Sequence, residues 1–266
     1  GSSSRVEVSV TIQEGLTVRQ IFELLEKEGV STVEKLNDMA ANHDYAFSFL
    51  EDIPLGDPNR LEGYLFPDTY NFYMGEDPKY VINKMLVNFD SKVDDSMRQK
   101  IADKGYTIQE LLTVASMIEK ETDGTDRGTI ASVIYNRLCS KLYPCLEIDA
   151  TIQYALAERK EILSNADKGV LSPYNTYTNA GLPAGPIANP GMNSIRAALY
   201  PAETKYYFYA LDTTGVHHFS ETYYEHQNFL NELAGKDEEE DQQTGTEDGA
   251  ADQTGDTADT ENQTDG

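Results

Sequence analysis

Two glutamates at the end of an apolar helical segment are the residues of this sequence best suited to acid–base chemistry. The segment from Thr107 to Thr122 reads TIQELLTVASMIEKET and is apolar almost all round, which indicates a buried helix. At about 100° per residue, Glu119 shares a face with apolar residues, while Glu121 projects on another face near the helix end. A poorly solvated carboxyl group keeps its proton more readily than one in water, so it can serve as a general acid.

The position of these acids opposes simple electrostatics, because buried carboxylates are costly and a helix C-terminus disfavours negative charge. Such violations often mark functional sites. The alternative is that Glu119 pairs with a buried base such as Arg127 or Arg137, and that Glu121 is a solvated helix end. Composition and spacing leave both interpretations open.

A long loop dense in turn formers, amides and aromatic side chains is the second chemical feature. Residues 172–191 read SPYNTYTNAGLPAGPIANPG. Aromatic faces pack on the C–H surface of sugars, while Asn and Thr bind sugar hydroxyls, so this composition suits carbohydrate binding. A purely structural cluster of turns is the alternative.

Histidines and cysteines give weaker signals. His217, His218 and His226 lie near acidic residues, but neighbouring strand residues point to opposite faces and are poorly placed to chelate one ion. Cys139 and Cys145 lie six residues apart in a predicted loop, where two free thiols or one local disulfide are both compatible with the spacing. We therefore predict no metal site.

The elements that position these groups begin with a small N-terminal β-α-α unit over about residues 5–50. Residues 6–12 alternate apolar and polar side chains, as a half-buried strand does. Thr17 with Gln20 resembles a capping box for a first helix, and a second helix fits residues 32–41.

The rest of the chain predicts an α+β fold of mixed helices and short strands, with a catalytic domain over residues 51–235. Thr107 with Glu110 forms a second capping box, in front of the apolar helix. Asp149 is placed either to cap a helix or to bind a ligand. The predicted later elements are a helix at 194–199, strands at 206–211 and 218–219, and a last helix at 221–233.

Charge is abundant and unevenly placed. The formal net charge of −25, from 21 basic and 46 acidic side chains, excludes the basic footprint of a nucleic-acid binder. Residues 236–266 hold 12 of these acids and one base, and their only carbon-rich side chains are those of Ala and Thr. This composition predicts a disordered acidic tail, and binding of a cationic partner is the alternative role for it.

No stretch of the sequence reaches the roughly 18 to 20 apolar residues that a membrane-spanning helix needs. The first four residues, GSSS, resemble a remnant of recombinant expression. We therefore expect that a natural N-terminal segment, with any anchor it carried, has been removed.

Five motifs occur in an order that resembles the endolytic murein transglycosylase family, also called YceG-like. They are EGYLFPDTY at 62–70, ASMIEKET at 115–122, NRL at 136–138, YNTY at 174–177, and GLP through NPG at 181–191. The resemblance covers about residues 5–233. It implies a bacterial protein anchored in the cell membrane by one N-terminal helix, with its catalytic domain acting on peptidoglycan glycan strands outside the cytoplasm.

The resemblance also implies roles for single residues. The family's catalytic glutamate falls on Glu121, and the pair Glu121-Thr122 is similar to the Glu-Ser pair of other lytic transglycosylases. Glu119 matches the other acid of the motif. The family often has Asp-Pro-Thr where this chain has Asp149-Ala150-Thr151, so the chain departs from the pattern beside Asp149.

The reaction implied by the resemblance is non-hydrolytic cleavage of the MurNAc-β-1,4-GlcNAc bond, which leaves 1,6-anhydro-MurNAc ends and needs no metal or cofactor. Glu121 would donate a proton to the glycosidic oxygen and then take one from the sugar's 6-hydroxyl. We expect a neighbouring Glu119 to raise the pKa of Glu121. The expected substrate-binding residues are Glu119, Asp149, Tyr174, Asn175, Tyr177 and Asn189.

Three alternatives remain at this point. In a hydrolytic muramidase, a second carboxylate such as Asp149 or Glu62 would activate water. A peptidoglycan-binding module would bind strands without cleaving them. A scaffold would assemble cell-wall synthases, which is compatible with catalysis.

Overall fold

The fold opens with two helices between paired strands. Strand β1 (Glu7–Thr11) precedes helices α1 (Val18–Lys27) and α2 (Val33–Asn42), and strand β2 (Thr69–Tyr73) pairs antiparallel with β1. The structure is a computed structural model that describes residues 5–156 and 158–247. The GSSS segment lies outside them.

The local sequence signals of this N-terminal unit are confirmed. Thr17 Oγ1 accepts from Gln20 N at 3.2 Å, and Gln20 Oε1 accepts from Thr17 N at 3.0 Å, so the capping box is complete. The sheet partner, β2, lies beyond residue 50, so the unit's strand pairs with chain outside the predicted 5–50 segment. The domain boundary at residue 50 stays a prediction.

Two helices then extend the core. Helix α3 (Pro78–Lys92) is followed by α4 (Asp95–Asp103), and Asp77 caps α3 by accepting from Lys79 N at 2.9 Å. Phe89 of α3 packs edge-on against Tyr64 with ring centroids 5.3 Å apart, which ties α3 to the connection that precedes β2.

Five helices form the centre of the molecule. They are α5 (Ile108–Glu121), α6 (Arg127–Leu138), α7 (Asp149–Ala155), α8 (Asn165–Lys168) and α9 (Met192–Leu199). The capping box at Thr107 and Glu110 is confirmed, and the whole stretch from Leu111 to Ile118 is buried, because α5 packs between α6 and α9. Helix α5 therefore presents its last turn, with both glutamates, at the rim of the core.

A hairpin and a long helix complete the described chain. Strands β3 (Phe208–Leu211) and β4 (His217–Ser220) pair antiparallel, with Tyr209 opposite Phe219, and α10 (Tyr223–Glu247) follows. Helix α10 runs past the predicted end at residue 233 and through the first part of the segment expected to be disordered. The disorder of residues 236–266 stays a prediction. Residues 248–266 lie outside the described chain.

The loop over 172–191 has no helix or strand, as expected, and it is fixed by its packing. Ile187 N donates to Ser116 Oγ at 3.0 Å, which joins the loop to α5. Gly63 has a φ of 95°, and a Cβ there would lie 2.8 Å from Pro186. Glycine is therefore required where this loop crosses the EGYLFPDTY segment.

One continuous hydrophobic core joins the N-terminal unit to the central helices, running from Val10 to Leu199. Ten helices and two small antiparallel sheets in the described residues confirm the α+β class. Over residues 5–156 and 158–247, no helix combines the length and the apolar character needed to cross a bilayer.

Candidate active site

Glu121 is the last residue of α5 and lines a cleft of about 760 Å³ between the core helices, the β3–β4 hairpin and α10. Its Oε2 accepts from the Tyr209 hydroxyl at 2.8 Å. Within the described chain this is the only hydrogen bond to its carboxyl group, so Oε1 has no protein partner there. One oxygen is therefore oriented by the protein and the other is free for a substrate.

The surroundings of Glu121 favour its protonated form. Burial raises the pKa of Glu121 above its ordinary value, the Tyr209 hydrogen bond lowers it, the charge of Asp149 raises it, and the nearby His217 lowers it. The burial effect outweighs the two opposing effects. A carboxyl group with a raised pKa keeps its proton to higher pH than one in water, so it is suited to act as a general acid.

Asp149 and Tyr177 lie in the same cleft, as the sequence predicted. The Tyr177 hydroxyl donates to Asp149 Oδ1, and Lys168 Nζ lies 3.7 Å from that oxygen. The predicted capping role of Asp149 is wrong by one position, because Ile148 is the N-cap of α7 and makes no side-chain cap bond. Asp149 is the first residue of the helix, and its carboxylate is exposed to the cleft.

Glu119 points away from Glu121, as the helical spacing predicted, and its carboxyl group has different hydrogen-bond partners. Its Oε1 accepts from Gly191 N at 2.7 Å and its Oε2 from Ser194 Oγ at 3.0 Å. These bonds fix the N-terminus of α9, where a negative charge is favourable. The expectation that Glu119 raises the pKa of Glu121 is therefore wrong, because the acid whose charge raises it is Asp149.

The two arginines considered as partners of Glu119 are engaged elsewhere. Arg127 donates to Gly124 O at 2.7 Å, and Arg137 pairs with Glu147 at 3.2 Å. The interpretation of Glu119 as half of a buried ion pair with either of them is therefore wrong.

Asn189 is fully buried and bridges three segments. Its Oδ1 accepts from Gly63 N at 2.9 Å and Leu65 N at 3.0 Å, while its Nδ2 donates to Leu16 O at 3.0 Å and to Glu62 Oε1 at 2.9 Å. All of its polar atoms serve the fold, so we assign it to holding the loop rather than to sugar hydroxyls.

Asn175 and Tyr174 also serve the loop. Asn175 is buried, and its Nδ2 donates to Lys168 O at 3.0 Å and Val170 O at 2.8 Å. The Tyr174 ring packs against Tyr154 with centroids 4.8 Å apart and does not line the cleft around Glu121. Of the predicted loop contacts, Tyr177 alone is brought to the cleft.

Glu62 lies at the junction of the N-terminal unit with the central helices and is almost completely buried. It accepts from Val18 N at 3.0 Å, from Tyr154 Oη at 3.0 Å and from Asn189 Nδ2 at 2.9 Å. Burial raises its pKa to about 8, against the opposing effect of these hydrogen bonds. This carboxyl group is a structural bridge, and it does not line the cleft that holds Asp149 and Glu121.

Two residues beside Glu121 have no clear signal in the sequence. Tyr209 comes from β3 and His217 from β4, with their rings edge-on at 5.4 Å. His217 Nδ1 lies 2.7 Å from Asp126 Oδ2, whereas the neighbouring His218 faces Asp212. The aromatic run at 206–211 indicated a strand. The sequence did not indicate that Tyr209 in this strand would contact Glu121, which lies 88 residues earlier in the chain.

The cleft continues on the other side of Glu121. A second cavity of about 290 Å³ shares Lys120, Glu121 and Asp149 with the first, and a third of about 530 Å³ adjoins it through residues of α1 and α7. The three cavities form a groove with Glu121 along its course. An open groove of this kind suits a polymer that extends on both sides of the reacting bond.

Known proteins resemble this chain over most of its length. Residues 2–232 match the model of the YceG-like family. The chain is 34% identical over 227 residues to the endolytic murein transglycosylase of Bacillus subtilis (strain 168), covering 82% of the chain and 62% of that protein. It is 33% identical over 230 residues to the protein of the same name from Streptococcus pneumoniae serotype 2, covering 79% and 41%. The chain thus spans less than two thirds of the length of these relatives.

A solved structure shares the fold. The crystal structure of a putative yceG-like protein from Listeria monocytogenes superposes with a TM-score of 0.73 at 34% identity, covering 83% of this chain and 75% of that one.

Proposed function

The chain belongs to the YceG-like family, and on that premise we propose that it is an endolytic lytic transglycosylase that cleaves the MurNAc-β-1,4-GlcNAc bond of peptidoglycan without water. The observation that carries this proposal is Glu121, a single carboxyl group with a raised pKa and one unbonded oxygen, in a groove open on both sides. The names of the Bacillus and Streptococcus relatives support the same activity.

The proposed reaction needs one carboxyl group for two proton transfers. Protonated Glu121 donates to the glycosidic oxygen as the bond from that oxygen to C1 of MurNAc breaks. The resulting carboxylate takes the proton of the sugar's own 6-hydroxyl while O6 bonds to C1. The products are a 1,6-anhydro-MurNAc end and a free GlcNAc 4-hydroxyl, and Glu121 is protonated again.

Neighbouring groups assist this cycle. The Tyr209 hydroxyl holds Oε2 and stabilises the carboxylate that forms after the first transfer. The negative charge of Asp149 favours the protonated form of Glu121 beforehand and stabilises positive charge that develops at C1. Tyr177 fixes the Asp149 carboxylate by donating to it.

Peptidoglycan lies outside the cytoplasmic membrane, so the proposed activity is extracytoplasmic. The membrane anchor and the cell-wall synthase partners implied by the resemblance stay predictions.

A hydrolytic muramidase is the second candidate, because Asp149 lines the same cleft as Glu121 and could activate a water molecule. The two reactions differ in their products. Purified glycan strands incubated with the protein in oxygen-18 water should give anhydro-MurNAc ends without the heavy isotope by mass spectrometry. Reducing ends carrying oxygen-18 would establish hydrolysis, and binding without new ends would favour a binding module.

A further inference from the structure

Two cations line the cavity on the α1 side of Glu121, although the chain as a whole carries a formal charge of −25. Lys120 Nζ donates to Gly15 O at 3.3 Å, which holds the side chain along the wall. Arg159 is exposed and makes no hydrogen bond or ion pair to any residue in 5–156 or 158–247. Its guanidinium donors are available to a ligand.

The two cations are close enough to affect each other. Burial lowers the pKa of Lys120 and the charge of Arg159 lowers it further, while the charges of Glu119 and Glu62 raise it by less. Two like charges held near each other in a cavity are stabilised by an anion that binds to both. The wall around them combines polar side chains with apolar ones, namely Thr17, Gln20 and Gln153 with Ala150, Tyr154 and Ile187.

Most acids near this cavity already have hydrogen-bond or ion-pair partners in the protein. Asp149 is bonded by Tyr177 and lies near Lys168, and Glu121 accepts from Tyr209. In the third cavity, which Arg159 also lines, Glu23 pairs with Arg19 at 3.0 Å and Glu62 accepts from Val18, Tyr154 and Asn189. Glu158 is the acid of that cavity with no partner in the described residues.

We propose that Lys120 and Arg159 form a subsite for a carboxylate carried by the muramoyl part of the glycan strand. This inference rests on the proposed function, since it names a feature of the same substrate. Such a carboxylate comes either from the 3-O-lactyl group of a peptide-free MurNAc or from the stem peptide attached to it. An arginine fork beside an ammonium group binds a carboxylate through charge-assisted hydrogen bonds.

Binding of strands to a Glu121→Gln protein tests the subsite without cleavage. Three ligands are compared: peptide-bearing strands, peptide-free strands with the lactyl carboxylate, and peptide-free strands whose lactyl group is converted to the methylamide. We expect at least one charged strand to bind about tenfold more tightly than the methylamide. Adding Arg159→Gln should bring this ratio close to one, and Arg159→Lys should restore part of it.

Lys104→Gln, added to the same Glu121→Gln background, is the matched control, because it removes one exposed positive charge far from the groove. It should leave the ratio unchanged. Lys120→Gln, checked for its fold by circular dichroism, should act like Arg159→Gln. Preference for the lactyl acid over the methylamide identifies the lactyl carboxylate as the ligand, and preference for peptide-bearing strands alone identifies the stem peptide.

The subsite is overturned if charged and neutral strands bind equally, or if Arg159→Gln behaves like Lys104→Gln. Cleavage by the unsubstituted chain is measured separately. Cleavage without a preference for charged strands would contradict the subsite and support the proposed function. A preference for charged strands without cleavage would support the subsite and contradict the proposed function.

Discussion

Tyr209 and Asp149 act on the Glu121 carboxyl group in opposite directions. The Tyr209 hydrogen bond stabilises the carboxylate, and the Asp149 charge destabilises it. A group that must first give a proton and then take one back benefits from such opposing contacts, because one of them favours the protonated form and the other stabilises the carboxylate. Substitutions at the two positions should therefore shift the pH profile of cleavage to opposite sides.

Tyr209→Phe removes the donor at 2.8 Å from Glu121 Oε2, so the pKa of Glu121 should rise. Cleavage falls with rising pH as the general acid loses its proton, and this limb of the profile should move to higher pH. We also expect kcat to fall by about tenfold, since the carboxyl group loses its orientation. Tyr206→Phe is the control, because Tyr206 stacks on Phe219 outside the cleft. A limb that stays in place in Tyr209→Phe would contradict this role.

Asp149→Asn removes a negative charge that raises the pKa of Glu121, so the same limb should move to lower pH. The rate at the optimum should fall by about ten- to a hundredfold, because charge stabilisation at C1 is lost. Initial rates of anhydro-end formation across a pH series measure both effects. An upward shift of the limb would show that Asp149 acts in another way.

At this scale the sequence predicted Glu121 as the reactive group, which stays a prediction, but it indicated few of the contacts that surround Glu121. The family motif pointed to Glu121, and helical spacing separated it from Glu119. The partners of Asn189 and Glu119 come from segments more than 70 residues away along the chain, and no local pattern encodes them.

At the scale of elements, Glu62 holds three parts of the molecule together. Its carboxyl group meets the N-terminus of α1 at Val18, helix α7 at Tyr154 and the long loop at Asn189. The walls of the groove beside Glu121 come from α1 and α7. The position of Glu62 therefore sets the relative placement of both walls.

The raised pKa of Glu62 makes the stability of the protein depend on pH. Its folded-state pKa of about 8 lies above the ordinary value of 4.5, so the folded state binds the extra proton between these two pH values. Stability from this group is fully present below about pH 4.5 and is lost as pH rises through about 8, at up to about 1.4 kcal/mol per pH unit. Glu62→Gln should flatten this dependence.

Urea unfolding at several pH values between 5 and 8, for the native chain and Glu62→Gln, measures this slope. Glu110→Gln is a control on an exposed capping residue of α5. Equal slopes in the native chain and Glu62→Gln would mean that Glu62 is ionised in the folded protein.

Helices and caps were predictable because their signals are local. Both predicted capping boxes were correct, since each depends on residues within a few positions. The pairing of β1 with β2 joins Thr11 to Thr69, across two helices and an irregular connection. Sequence periodicity carries no information on which strands pair. It also did not indicate how far α10 extends.

At the scale of the whole molecule, the groove explains how the protein could cleave bonds in the interior of a glycan strand. The N-terminal unit supplies Thr17 and Gln20 to one wall, and the β3–β4 hairpin with α10 supplies the opposite end. Because the cavities continue on both sides of Glu121, a strand can pass through without ending there. Endolytic cleavage is the expected consequence.

Strand lengths during the reaction test this expectation. Long uncrosslinked strands should break into fragments of intermediate length from the first time points, with few disaccharides, as chromatography by length would show. Early release of disaccharides with little change in the remaining strands would indicate action from the ends and contradict an open groove.

The most direct test of the central claim compares Glu121→Gln with Glu119→Gln, two amide substitutions on opposite sides of one helix. Both proteins are incubated with purified strands after their fold is verified, and anhydro-MurNAc ends are counted by mass spectrometry. We expect Glu121→Gln to lose activity by about a thousandfold, since an amide is too weak an acid to protonate the glycosidic oxygen, and Glu119→Gln to retain cleavage. Undiminished cleavage by a folded Glu121→Gln would contradict the assignment.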